Sequence, residues 1–313
     1  MSPNPEFRET PSFVQTVTPD ILLSVVIPSY RSFLTIRAAV TALKAELTGI
    51  EAEIIVVDST GDGRVAAICR TMSGVRCLEP DRRMTAGVAR NAGAQESRGR
   101  WLLFMDADCI PASGFGAQLG AHLDGGDWIL SGAIENGTPD SWVGTLQYWT
   151  EFSEYAPGRE SGERDFLSSY LLLMPKKLFQ KVGGFSPEYA MSEDTVFSLD
   201  ARSSDVSLII DSAFRVKHMN RQSGRAVIRH TYRLGWWGGH LRRLKTGLSG
   251  SFLVRFPFLI PMLWPVRYGR IVRRLWSYGE ECSWRKLGIS ILIFPLIGIW
   301  VSGFFIGILS RTR

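Results

Sequence analysis

Residues 101–108, WLLFMDAD, run five apolar side chains directly into two carboxylates, Asp106 and Asp108, with one alanine between them. A short continuous apolar run of this kind fits a strand buried on both faces. The carboxylates then stand just past the strand's end, one residue apart, where both can aim at one spot. Hard oxygen ligands so placed suit Mg2+ or Mn2+, ions that commonly hold substrate phosphates as well. Alone, Asp-x-Asp is frequent by chance and is usually a solvated turn, so its weight depends on its neighbours.

Those neighbours repeat the pattern. Residues 21–28 (ILLSVVIP) and 53–58 (EIIVVD) are two further buried strands, and 76–78 a short one. Between them, 32–47 has helical spacing, with Leu34, Ile36, Val40, Leu43 and Leu47 toward one side, and 64–72 and 85–97 read as helices. Strands alternating with helices predict an α/β domain on a largely parallel sheet. Ligands of such sheets bind outside the carboxyl ends of the strands. Pro28, Ser29 and Tyr30 close the first strand, Asp58 the second, and Asp106 and Asp108 that at 101–105, so all should converge on one edge. Further on, 128–133 and 166–174 predict strands, 176–182 a helix broken by Gly183-Gly184, and 207–211 a last strand. A helix over 191–201 opens at Ser192, with Glu193 and Asp194 in its first turn, where the macrodipole favours acids.

Charge divides the chain. Residues 215–286 hold 16 Lys and Arg against 2 Asp and Glu, a local balance of +14 within a whole-chain charge of +6. An acidic body with a basic tail implies two kinds of partner. The basic residues alternate with Trp, Tyr and aliphatic stretches, which favours an anionic membrane surface over nucleic acid. Residues 287–309 are 23 uncharged, mostly apolar positions, long enough to span a bilayer, with Lys286 and Arg311 to anchor the ends. Residues 252–266 are apolar but short and carry Arg255 and three prolines. If both segments crossed, the loop of arginines between them would lie outside, against the positive-inside bias. The first segment is therefore expected to be re-entrant or interfacial, and 229–245 an interfacial shelf. Residues 1–20 are polar, with four prolines, and are expected to be a disordered lead-in rather than a signal peptide. The body of the protein is therefore expected in the cytoplasm, at the inner (plasma) membrane. Cys69, Cys77, Cys109 and Cys282 form no CxxC pair, as expected of incidental thiols in a reducing compartment.

The run VVIPSYRS, then EIIVVDSTGDG, then TAGVARNAGAQESRGRWLLFMDAD, resembles family 2 of the glycosyltransferases, the inverting enzymes of GT-A fold, from about Leu23 to Asp211. The resemblance implies a Rossmann-like nucleotide-sugar-binding domain over 21–225, followed over 226–313 by a basic, aromatic and hydrophobic membrane-associated helical region. It places Pro28 and Tyr30 against the nucleotide and Asp58 on its base, typically uracil. The family often reads VVDDGS where this chain has VVDSTGDG, so the second acid is missing. Ala89-Arg90-Asn91 matches a helix that lies under the sugar diphosphate. Asp106 and Asp108 fall on the DXD-type motif for Mn2+ or Mg2+, with Asp106 also beside the donor. Gly183-Gly184-Phe185 with Ser192-Glu193-Asp194 resembles the acceptor-side segment whose acid is the general base, usually the Asp. His218 falls where some relatives place a further metal or diphosphate contact.

The chemistry required agrees with that assignment. Inverting transfer needs a base for the acceptor's proton and a cation for the leaving diphosphate. The expected activity is transfer of a single sugar from a UDP-sugar to a membrane-located, lipid-linked acceptor. No Gln-x-x-Arg-Trp run marks a processive enzyme. Two competing readings are a membrane-anchored glycosyltransferase with a soluble or protein acceptor, and a non-catalytic sugar-nucleotide-binding scaffold.

Overall fold

The computed structural model describes residues 7–9, 21–245 and 247–310. The chain forms two compact units: Met1–Glu135 with Glu160–His218, and Asn136–Arg159 with Met219–Arg313. In chain order the elements begin β1 (Phe7–Glu9), β2 (Leu23–Ser29), α1 (Ile36–Glu46), β3 (Ala52–Asp58), α2 (Arg64–Arg70), β4 (Val75–Pro80), α3 (Ala86–Glu96) and β5 (Trp101–Met105). They continue with β6 (Cys109–Pro111), α4 (Phe115–His122), β7 (Trp128–Asn136), α5 (Trp142–Phe152), β8 (Gly162–Glu163), β9 (Leu171–Pro175), α6 (Lys176–Val182), α7 (Glu193–Ser203) and β10 (Ser207–His218). The C-terminal helices are α8 (Gly224–Leu244), α9 (Phe252–Arg255), α10 (Leu263–Tyr278) and α11 (Ser283–Leu309), with a 3-10 turn at Pro257–Met262.

Among the described residues the first unit is built on one ten-stranded sheet, ordered β1-β4-β3-β2-β5-β9-β7-β10-β6, with β8 on β10. β4, β3, β2 and β5 are mutually parallel. From β5 to β9 the direction reverses, and the β9–β7 and β10–β6 pairs are also antiparallel. The sheet is therefore mixed, where alternation of strands and helices predicted a largely parallel one. Alternation is a local signal. It cannot register that the chain re-enters at β9 from the other side after an excursion through the second unit.

The apolar runs form the centre as their pattern requires: Val25, Val26, Ile27, Leu102, Leu103 and Phe104 are wholly buried. β5 pairs with β2 only over Leu23–Val26, so the end of β2 at Pro28 has no neighbour on that side. Proline, which lacks an N–H, is tolerated where no ladder bond is needed. The sheet order runs from β2 to β3 and β4 one way and to β5 the other. The resulting crevice at the carboxyl ends of β2 and β5 is the usual ligand position in such sheets.

Several local expectations shift. Leu34 precedes α1 and is 80% exposed, whereas Ile36, Val40 and Leu43 are buried. The last strand runs on past 211 to His218 because residues 216–218 find partners in 109–111. Within the segment expected to be a disordered lead-in, Phe7–Glu9 pairs with the edge strand β4; the rest of that expectation, 1–6 and 10–20, lies outside the described residues.

An aromatic cluster links the sheet to α7. Phe104 of β5 lies 5.1 Å from Phe179 and 5.4 Å from Phe185, and Phe185 lies 4.7 Å from Phe197 of α7. Through it, the strand that ends in Asp106 fixes the helix that begins with Glu193. Phe104→Ala should therefore cost about 3–5 kcal/mol of stability, the usual range for a buried Phe truncation. Denaturant unfolding measures it, and a loss below about 1 kcal/mol would mean that the cluster relaxes freely.

Candidate active site

Arg90 is the centre of the site. It projects from α3 with its side chain 2% exposed, and its two terminal nitrogens donate to different elements. Nη2 bonds Asp106 Oδ1 at 2.6 Å, and Nη1 bonds Glu193 Oε1 at 2.9 Å. The guanidinium also lies 5.4 Å from the ring centroid of Phe185. Both carboxylates hold the Arg90 cation charged against the opposing effect of burial, and its pKa is raised. The Asp106 carboxyl is pushed up by burial; Arg90 pulls the other way and Asp108 adds to the rise.

The register of β6 on β10 completes this end of the site. His218 sits opposite Cys109, which brings its buried imidazole Nε2 to 3.5 Å from Asp108 Oδ1. Asp106 and Asp108 thus share one small region, one tied to Arg90 and the other beside His218. Among the described residues, no three His, Cys, Asp or Glu side chains gather into a ready-made metal cage. Two carboxylates and an imidazole nonetheless form a suitable partial donor set for Mg2+ or Mn2+, which complete their shells with substrate phosphates and water. The local charge agrees. Asp106 and Glu193 share the Arg90 guanidinium, and Asp108 and Asp194 add acidic groups beside them, a setting in which a further cation would favour an anionic diphosphate.

The acceptor-side acids divide by geometry. Glu193 is buried and committed to Arg90. Asp194 accepts from Ser168 Oγ at 3.2 Å and from the Thr195 backbone N–H at 2.7 Å. Burial, followed by the neighbouring Glu193 charge, pushes the Asp194 carboxyl up to about 7. The helix opens differently from expectation: Ser192 makes no side-chain cap bond and adopts φ +65°, in the left-handed region. A non-glycine residue held there is strained, and such strain concentrates at functional sites.

The nucleotide-side residues stand at the ends of β2 and β3. Asp58 is fully buried, and its Oδ1 accepts from Ser29 and Thr60 hydroxyls, both at 2.8 Å. Its Oδ2 is buried without a hydrogen-bond partner. Burial raises the Asp58 pKa against the two hydroxyl bonds. Tyr30 is partly exposed, with the Arg83 guanidinium 4.3 Å from its ring centroid and that of Arg31 at 5.2 Å. Arg31, again left-handed at φ +59°, donates its backbone N–H to Thr60.

Asn91 follows Arg90 on α3 and turns to Phe185. Its amide nitrogen donates to Phe185 O at 2.7 Å, and its amide oxygen accepts from Phe185 N at 2.9 Å. It clamps the turn in which Gly183 and Gly184 both take positive φ, a conformation natural to glycine. Asn91 therefore holds the Gly183–Phe185 turn, one helical position from the arginine that touches both Asp106 and Glu193. Thr60, Arg83 and Ser168 were not singled out in the sequence. Thr60 could have been suspected from its place just past the strand that ends at Asp58; Ser168 carries no local signal.

The chain belongs to glycosyl transferase family 2: its residues 24–183, half of its length, match that family. An uncharacterized glycosyltransferase of Haemophilus influenzae is 32% identical over 87 residues, 28% of this chain and 29% of that protein. The succinoglycan biosynthesis protein ExoO of Rhizobium meliloti is 37% identical over 93 residues, 29% of this chain and 26% of its own length. Each match thus spans under a third of the relative. Among solved structures, the mannosyltransferase PcManGT of Pyrobaculum calidifontis, in complex with GDP-Man and Mn2+, superposes with a TM-score of 0.56 at 17% identity, over 92% of this chain and 85% of that one. S. aureus TarS 1–349 in complex with UDP-GlcNAc gives 0.52 at 14% identity, over 92% and 91%. The fold is that of the GT-A glycosyltransferases.

Removing one member of a buried ion cluster strands the others. Arg90→Ala should destabilise the protein by about 3–5 kcal/mol, and adding Glu193→Gln should recover part of the loss by discarding one stranded charge. The denaturant midpoints of the single and double variants test this. An unchanged midpoint for Arg90→Ala would show that the cluster does not depend on its cation.

Proposed function

We propose that the chain is an inverting glycosyltransferase that moves a single sugar from a UDP-sugar to a lipid-linked acceptor at the inner membrane, with its catalytic domain in the cytoplasm. The observation that carries this reading is Arg90, which joins Asp106 on the donor side to Glu193, next to Asp194, on the acceptor side.

Each residue then has a task. Asp58 offers its unpartnered Oδ2 to the imide N–H of uracil, a donor that adenine lacks at that position. Tyr30, with Pro28 beside it, supplies a face for the base, and Arg83 stiffens the ring by a cation–π contact. Asp106, Asp108 and His218 would hold Mn2+ or Mg2+, which supplies charge neutralisation for the departing diphosphate. Arg90 holds Asp106 and Glu193 in register. Asp194, with Ser168 orienting its carboxylate, takes the proton from the acceptor hydroxyl as that oxygen attacks the anomeric carbon from the face opposite the diphosphate. The Mn2+ beside GDP-Man in the Pyrobaculum enzyme and the UDP-GlcNAc in TarS support a metal and a nucleotide-sugar donor. The Rhizobium relative's part in succinoglycan biosynthesis supports glycan assembly as the setting. The acceptor assignment rests on the second unit. It carries the basic balance and α11, a helix long and apolar enough to cross a membrane by length and composition.

A base must be ionised to accept a proton. With the Asp194 pKa raised to about 7, the transfer rate should rise with pH through about 7 and level off above it. Asp194→Asn should cut the rate by roughly 10²-fold or more and remove that limb, while donor binding stays nearly intact. The linked stability runs the other way. A carboxyl whose folded pKa exceeds its unfolded value binds its proton more tightly when folded, so stability falls as pH rises from about 3.8 toward 7. A pH–rate profile of wild type and variant decides the point. A damaging Glu193→Gln with a mild Asp194→Asn would exchange the two roles.

A further inference from the structure

α8 and α11 pack backbone against backbone. A Cβ on Gly235 or Gly239 of α8 would stand 2.0 or 2.1 Å from the carbonyl oxygens of Trp300 and Phe304. A Cβ on Gly303 or Gly307 of α11 would meet the carbonyls of Tyr232 and Trp236 at 2.2 and 2.0 Å. Both helices thus bring a Gly-x-x-x-Gly face to the contact, which permits the closest helix approach. They run in the same direction, since 232, 236 and 240 meet 303, 307 and 310 in turn. At the far end the His240 and Ser310 side chains lie 2.9 Å apart, and Arg243 donates to the Ile308 carbonyl.

This pairing limits what α11 can do. α11 is long and apolar enough to cross a bilayer, but α8 is not. Its longest stretch free of Lys and Arg, between Arg233 and Arg242, is eight residues. At 1.5 Å per residue that is about 12 Å, against a hydrocarbon core of about 30 Å. A crossing by α11 would draw Arg242 and Arg243 to the far side with its last turn, or pull apart the glycine contact. Meanwhile one stripe of α11 faces outward: Leu287, Ile291, Phe294, Phe305 and Leu309 are 39–63% exposed. The first turn of α10 packs on this face, where Trp264 donates to the Phe294 carbonyl and lies 5.0 Å from its ring, and the 3-10 turn at Pro257–Met262 leads directly into it. Phe258 and Met262 of that segment are 73% and 60% exposed. Cations stand beside aromatic rings at the borders: Lys286 by Trp276 and Arg255 by Phe256.

We infer that the second unit attaches to the membrane from one side, with α11 lying in the lipid interface beside α8 and crossing nothing. The occupant of the apolar face is an anionic lipid surface. Apolar side chains enter the acyl boundary, tryptophans and cations mark the headgroup level, and the basic balance of 215–286 supplies the attraction. One-sided attachment also leaves those 16 Lys and Arg together on one face, as the positive-inside bias favours. The inference rests on the membrane location proposed above and revises the single span that the sequence suggested for 287–309.

Native Cys282 is exposed at the start of α11, while Cys69, Cys77 and Cys109 are buried. It therefore reports one end of the helix, and Ser310→Cys in a Cys282→Ser background reports the other. Full-length chain in sealed bacterial membrane vesicles is treated with a membrane-impermeant maleimide, with either the cytoplasmic or the outer face exposed. Both cysteines should label when the cytoplasmic face is outward and lose their label when it is inward. Labelling of the two ends from opposite faces would overturn the inference and leave the membrane reading intact. Recovery of the chain in the soluble fraction, as monomer or dimer, would overturn both.

Discussion

The first unit depends on one fully buried guanidinium. Burying Arg90 is unfavourable unless the charge is matched, and the match comes from two carboxylates far apart in sequence, Asp106 and Glu193. A helix, a strand end and a second helix must therefore meet within hydrogen-bond reach of one side chain. The Phe104–Phe185–Phe197 cluster and the clamp of Asn91 on Phe185 hold that meeting from below. Ser192, just before Glu193, and Arg31, just past β2, carry strained backbone. Such strain persists only where the surroundings over-determine the conformation.

Much of this was legible in the sequence because burial leaves a strong trace. Apolar runs that stop at Asp58 and Asp106 mark central strands and place the acids at their ends, and the structure has both as β3 and β5. Long-range pairing leaves no such trace. The reversal at β9, the extension of β10 to His218 and the link from Arg90 to Glu193 across 103 residues all depend on contacts that no local window contains. Asn91 illustrates the difference. Motif resemblance put it near the donor, and only the fold shows that both its polar atoms serve the turn at Phe185.

In the second unit, composition and packing bear on the same helix. Residues 283–309 pass every test of length and hydropathy for a span. Four glycines, each ordinary in the sequence, set a different constraint by joining α11 to an arginine-bearing neighbour. The one-sided attachment inferred for this unit would suit the acceptor proposed above, presented at a bilayer surface.

The central claim is that the acids around Arg90 serve transfer from a nucleotide-sugar. Release of nucleoside diphosphate by the purified full chain tests it most directly, across UDP-, GDP- and ADP-sugars, with Mn2+ or with excess chelator. The account predicts turnover of a UDP-sugar that is lost in chelator. Absence of turnover with every donor, or full turnover in chelator, would contradict it.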